Sequence, residues 1–245
     1  MSLKRCLLLG LMGASMTAVA ENIDYQINGE TYQGFYTSAA DNAPLVLLIH
    51  DWDGLTDYEI KRANMLAKEG YAVFAADLFG KGVRPTEDKD KKQHTGELYQ
   101  DRQKMRQLVK GALDKAAELG ANRQQTVIIG YCFGGAAALE MARSGEDLHG
   151  VVSFHGGLKT PQGQDYADST TEILILHGAA DKAISMQEFA ELSNQLEAFN
   201  VPNEMIAYGG ADHAFTVFGI DRYHAEADKK SWQRLLQFLD EKRSE

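Results

Sequence analysis

The chain has 245 residues, 44% of them hydrophobic and 24% charged, and a formal net charge of −10. That length supplies one sizeable core or at most two small ones, so a single domain is expected. The excess of acid argues against nucleic acid and anionic membrane surfaces as partners, because both are bound through basic patches.

The opening stretch "MSLKRCLLLGLMGASMTAVA" sets Lys4 and Arg5 before an apolar run and ends in Ala18-Val19-Ala20, a small-x-small pattern. It reads as a secretory signal peptide over residues 1–20, removed after Ala20, with the product periplasmic or secreted. The apolar run falls short of the roughly 20 residues that a spanning helix needs, so no stable membrane anchor is expected after cleavage. Cleavage takes Cys6 with Lys4 and Arg5, which leaves Cys132 as the one cysteine and the charge at −12. An intrachain disulfide is then impossible, and a lone thiol in an exported protein points to intermolecular pairing or to a reactive group.

Beyond the leader, "YQINGETYQGFYT" places Asn28-Gly29 between polar and aromatic residues, the pattern of a hairpin at a sheet edge. Short apolar runs then alternate with amphipathic segments. The runs are 45–49, 71–77, 126–130, 150–154, 172–178 and 203–208, and most read as strands buried on both faces. The helical segments are 58–68, 97–119, 133–143, 186–199 and 225–241, with Asp57 as a candidate N-cap and Gly70 and Gly120 at helix ends. This alternation implies an α/β fold with a mainly parallel central sheet covered by helices on both faces. Residues 80–96 carry almost no apolar side chain and read as a solvated loop, or as a lid over a site at that edge of the sheet.

Chemistry concentrates at "GYCFGG", where the run "TVIIG" meets the helix former "AAALEMA". Gly130-x-Cys132-x-Gly134 has the form of a nucleophile elbow, G-x-S-x-G, with cysteine in place of serine. The glycines serve a steric need, since side chains beside so tight a turn collide with its neighbours. The turn lifts the sulfur to the amino end of a helix, where backbone N–H groups favour a thiolate and later an oxyanion. A nucleophile so placed needs a base and an orienting carboxylate, in chain order nucleophile, acid, histidine. Asp181 in "HGAADKAIS" and His213 in "GGADHAF" each follow a later strand and supply both. The oxyanion hole is expected from the backbone N–H of Phe133 and that of Trp52, in "HDWDGLTD" after the first apolar run. Of the other histidines, His155 and His177 end strands and are candidates to line a cleft. No histidine pair stands at i, i+4 and no cysteine pair survives cleavage, so no metal site and no cofactor are inferred.

At these residues the chain resembles the dienelactone hydrolase family of the α/β-hydrolase superfamily, over residues 25–239. The likeness is carried by "LVLLIHDWDGL", "GYAVFAADLFGKG", "VIIGYCFGGAAAL", "ILILHGAADKAIS" and "GGADHAFTVFG". The resemblance implies a triad of Cys132, His213 and Asp181, hydrolysis of an ester or lactone through a thiol acyl-enzyme, and a carboxylate at Asp51 that interacts with the resting thiol. Members of the family also hold a substrate carboxylate with arginines, at places taken here by Val217 and, nearby, by Lys81 and Arg84. The expected partner is thus a small-molecule ester or lactone, with Lys81 and Arg84 as candidate substrate contacts. The rival reading is a binding or redox-sensing protein on a hydrolase frame that uses Cys132 as a switch or covalent trap.

Overall fold

A computed structural model describes residues 19–244. Residues 1–18, most of the expected leader, lie outside the described residues, and its last two open the first strand. In chain order the elements are β1 (Val19–Ile27), β2 (Glu30–Ser38), β3 (Pro44–Ile49), α1 (Asp57–Lys68), β4 (Ala72–Ala76), α2 (Asp88–Gln100), α3 (Arg102–Glu118), β5 (Asn122–Tyr131), α4 (Phe133–Arg143), β6 (Gly150–Phe154), β7 (Ile173–Gly178), α5 (Met186–Ala198), β8 (Asn203–Tyr208) and α6 (Ala225–Arg243).

The eight strands form one sheet in the order β1-β2-β4-β3-β5-β6-β7-β8. From β4 through β8 in this order every neighbour is parallel, while β1 and β2 add an antiparallel edge. The hairpin turn lies at Asn28 and Gly29, whose φ of 52° and 84° suit a two-residue turn that needs positive φ twice. The strand runs read as continuous apolar stretches because each face meets its own layer of helices. Leu45, Leu47 and Ile49 join Leu108 of α3, Leu139 of α4 and Leu196 of α5 in one core. Val46 and Leu48 point the other way, to Leu66 of α1 and to Leu235 and Phe238 of α6. Each such fully buried side chain contributes about 1.5–3 kcal/mol relative to leaving it in water.

Three local expectations are corrected. Thr56, not Asp57, caps α1: its side chain accepts from the Tyr58 N–H (3.3 Å), and the Glu59 carboxylate accepts from the Thr56 N–H (2.8 Å), a reciprocal capping box. Asp57 is instead the first helical residue, where its charge faces the positive end of the helix dipole. The loop expected over residues 80–96 ends early, because α2 begins at Asp88. Only Thr95 and Leu98 of α2 are buried, so the helix has no apolar stripe to reveal it. The single helix expected over 97–119 is broken at Asp101, which ends α2 and caps α3 by accepting from the Lys104 N–H (2.8 Å).

Candidate active site

The carboxyl ends of β3, β5, β6, β7 and β8 converge on one edge of the sheet. There β5 turns directly into α4 at Cys132, whose φ of 51° and ψ of −110° lie outside the regions an L residue prefers. Holding a side chain there costs about 1–3 kcal/mol, which the surrounding packing must offset. The glycines around the turn are needed on geometric grounds. A Cβ on Gly130 would sit 2.0 Å from the Gly134 carbonyl oxygen, and one on Gly134 would sit 2.3 Å from that of Ile49. Gly135 is as constrained, with Ser153 Oγ 2.4 Å from where a Cβ would be.

Asp181 and His213 reach the sulfur from the loops after β7 and β8. These loops pass close together at Gly178, where a Cβ would stand 2.5 Å from the Ala211 carbonyl oxygen. Asp181 Oδ1 accepts from the N–H groups of Ala183 (2.8 Å) and Ile184 (2.9 Å), which fixes the carboxylate. Its Oδ2 lies 2.8 Å from His213 Nδ1. Because an ionised carboxylate only accepts, Nδ1 carries the proton and Nε2 is left to accept from the Cys132 thiol at 3.1 Å. Burial opposes ionisation of Asp181, but the bonds from His213, Ile184 and Ala183 outweigh it and hold the carboxyl below its ordinary range.

The sulfur behaves in the opposite sense. Burial pushes the Cys132 thiol up to about 12, with the charge of Asp51 adding to the effect and the Phe133 N–H opposing it. Desolvation and the acidic neighbours thus oppose a resting thiolate and outweigh the pull of the helix terminus. Asp51 is itself buried, and burial together with its neighbours Asp53 and Glu59 holds its carboxyl well above the usual range. Its Oδ1 accepts from the Asp53 N–H (3.1 Å).

Cys132, His213, Asp51 and Trp52 share the wall of a cavity of about 560 Å³. Phe133 N–H is directed at the sulfur, and it occupies the first helical position, which has no intrahelical partner. Behind Trp52, His50 is fully buried and fixes the loop: its Nε2 accepts from the Leu78 N–H (3.2 Å), so Nδ1 donates to the Asp51 carbonyl oxygen (2.6 Å).

Two expectations about the cavity wall are corrected. Lys81 and Arg84 do not line it: Lys81 pairs with Asp24 at the outer edge of the sheet, and Arg84 bonds the Leu55 and Val83 carbonyls and pairs with Asp77 at 3.5 Å. The cations present are Lys91, which lies over the Trp52 ring at 5.0 Å, and Arg222. His155 and His177 are fully buried behind the cavity and do not line it. His155 packs edge-on against the His213 ring at 5.4 Å and meets Thr216 Oγ1 at 2.8 Å through Nε2. Tyr99, Ile184 and Ile220 also form the wall and were not singled out from the sequence. Tyr99 comes from the last turn of α2, a helix whose earlier residues are hidden by their polar composition.

A family model places this architecture. The model described as "Dienelactone hydrolase family" matches residues 32–242. A Salmonella typhimurium protein named as a candidate carboxymethylenebutenolidase is 26% identical over 244 residues, which is 94% of this chain and 88% of its own. A Bradyrhizobium sp. protein named as a candidate 2-oxo-3-(5-oxofuran-2-ylidene)propanoate lactonase is 26% identical, covering 92% of this chain and 96% of its own. Among solved structures, a dienelactone hydrolase-like promiscuous phosphotriesterase from metagenomic libraries superposes with a TM-score of 0.85 at 28% identity, over 91% of this chain and 98% of that one. With the matched segment running from β2 through nearly all of α6, the chain belongs to the dienelactone hydrolase family of α/β-hydrolases.

Proposed function

We propose that the protein hydrolyses a small ester or lactone, with Cys132 as nucleophile, His213 as base, Asp181 orienting the imidazole, and the N–H groups of Phe133 and Trp52 receiving the oxyanion. The observation that carries the reading is the line Asp181 Oδ2, His213, Cys132 Sγ, closed at 2.8 and 3.1 Å. The names of the Salmonella typhimurium and Bradyrhizobium relatives support the substrate class.

The thiol is neutral at rest, so the nucleophile is generated on demand. As the carbonyl carbon meets the sulfur, the thiol proton passes to His213 Nε2, and the S–C bond forms while the carbonyl π pair moves to oxygen. The two N–H groups bond that oxygen more strongly in the intermediate than in the substrate, which lowers the barrier. Collapse breaks the C–O bond, and His213 returns the proton to the leaving alkoxide. Water then attacks the thioester, gives its proton to His213, and releases the acid as the thiol is restored. Asp181 remains ionised throughout and stabilises the imidazolium. Sulfur suits esters better than amides, because the thiolate departs more readily than an unprotonated amine.

Turnover of p-nitrophenyl acetate by the native protein, lost in Cys132→Ala, is the expected result. Unchanged turnover in that variant contradicts the assignment.

A further inference from the structure

A second cavity, of about 220 Å³, adjoins the first and shares Tyr99, Gly157 and Ile184 with its wall. Its charge is of the opposite character. The main cavity presents Asp51, Asp53 and Asp88 against Lys91 and Arg222, whereas the side cavity presents Arg102, Arg143 and Lys159 against Glu188 alone.

Beneath the side cavity lies an unbalanced ion cluster. Glu140 of α4, fully buried, accepts from Arg106 Nε (2.8 Å) and Arg143 Nη2 (2.9 Å), with Arg102 Nη1 at 3.5 Å. One carboxylate thus faces three guanidiniums. Gln164, the remaining partner of Glu140, is neutral and adds no negative charge. Burial, reinforced by the charges of Arg143 and Arg106 against that of Glu140, holds the Arg102 guanidinium below its ordinary range. Glu188, whose Oε2 accepts from the N–H and hydroxyl of Ser185 in capping α5 (2.8 and 3.1 Å), offsets one of these positive charges and leaves the rest. Lys159 is exposed and has no ion-pair partner among the described residues. Desolvated like charges are costly unless an anion joins them, and in a chain of net charge −10 so local a positive excess stands apart.

We propose that this side cavity is an anion subsite of the active site, in which Arg102 and Lys159 hold a carboxylate at the far end of an ester or lactone whose scissile carbonyl lies at Cys132. The proposal rests on the hydrolase reading above. It differs in place from the anchor implied by the family resemblance, whose positions are Val217 and the neighbourhood of Lys81. Each nitrogen of Arg143 already donates to Gln164, Tyr166 or Glu140, and Arg143 supplies field rather than contact. Arg102 is held over the Tyr99 ring at 4.7 Å, at the passage between the two cavities.

The test compares kcat/KM for p-nitrophenyl acetate with that for the p-nitrophenyl monoester of glutaric acid, whose acyl chain ends in a carboxylate. The native protein is expected to favour the acidic ester. Lys159→Gln and Arg102→Gln are each expected to lower the ratio of acidic to neutral ester about tenfold, the effect of losing one charge-assisted contact, and Lys159→Arg to restore it. Lys159 is exposed and has no ion-pair partner among the described residues, so its substitution reads the subsite even if Arg102→Gln disturbs the Glu140 cluster. A native preference for the neutral ester, or a ratio unchanged in Lys159→Gln, overturns the proposal while leaving the hydrolase reading intact. If neither ester is turned over, the hydrolase reading fails instead, and calorimetric titration with glutarate decides the subsite alone. Saturable binding weakened in both variants supports it, and no binding, or binding that Lys159→Gln leaves unchanged, overturns it.

Discussion

The resting state of the Cys132 thiol can be read directly from its reactivity toward iodoacetamide. Only the thiolate is alkylated at a useful rate, and an ordinary cysteine, with a pKa of about 8.5, is roughly one quarter ionised at pH 8. Burial and the charge of Asp51 push Cys132 up to about 12, so only about one molecule in 10⁴ carries a thiolate at that pH. Alkylation of the protein is therefore expected on the order of 10³-fold slower than that of free cysteine. A raised pKa means the neutral form persists as pH rises, so the rate should climb without a plateau through the range where free cysteine has already levelled off. The assay is intact mass against time at a series of pH values, with Cys132→Ala as the unlabelled control. A rate at pH 8 matching free cysteine, with a plateau below that pH, would show a preformed thiolate and imidazolium pair and refute the on-demand mechanism.

The other predictions concern the frame around the sulfur. Asp181→Asn keeps the shape of the carboxylate but loses the acceptor that sets the His213 tautomer, so kcat for a p-nitrophenyl ester should fall on the order of 10⁴-fold with little change in the melting temperature. Gly134→Ala drives a Cβ to 2.3 Å from the Ile49 carbonyl oxygen and 2.6 Å from that of His50. Backbone must move there, and a loss of about 1–3 kcal/mol in urea unfolding, together with loss of turnover, is expected. Glu59, fully buried, is raised by burial from 4.5 to about 7, against the bonds from Thr56 that favour its ionised form. The folded state thus resists ionisation that the unfolded chain allows. Its contribution is complete below about pH 4.5 and is lost as pH rises toward 7, by about 3 kcal/mol. Glu59→Gln keeps an acceptor for the Thr56 N–H and should unfold in urea with a flatter pH dependence than the native protein over that range.

Strands and the elbow were legible because their constraints are local. A strand with a helix layer on each face must be apolar on both, which makes runs such as "LVLLI" and "ILILHG" visible. The elbow is visible because Gly130 and Gly134 have no substitute at their contact distances. Asp181 and His213 were found by their places after strand ends, and the structure brings both into line with Cys132. What escaped reading depends on the crossing of distant segments. The helix α2 buries only Thr95 and Leu98, so nothing periodic announced its stretch before residue 97, and with that stretch went Lys91 on the cavity wall. Lys81 and Arg84 follow the right strand but are drawn to Asp24 and Asp77, partners that no local pattern indicates. The capping residue of α1 was within reach, since Thr56-x-x-Glu59 is a capping-box pattern set one residue before Asp57.

The central claim, a covalent acyl group carried on one sulfur, is tested most directly by quenching the protein in acid shortly after mixing with p-nitrophenyl acetate and measuring intact and peptide masses. One added acetyl group per chain, located on the peptide containing Cys132 and disappearing once the ester is consumed, is the predicted result. Steady release of p-nitrophenol with no acetyl group on that peptide at any quench time would contradict it.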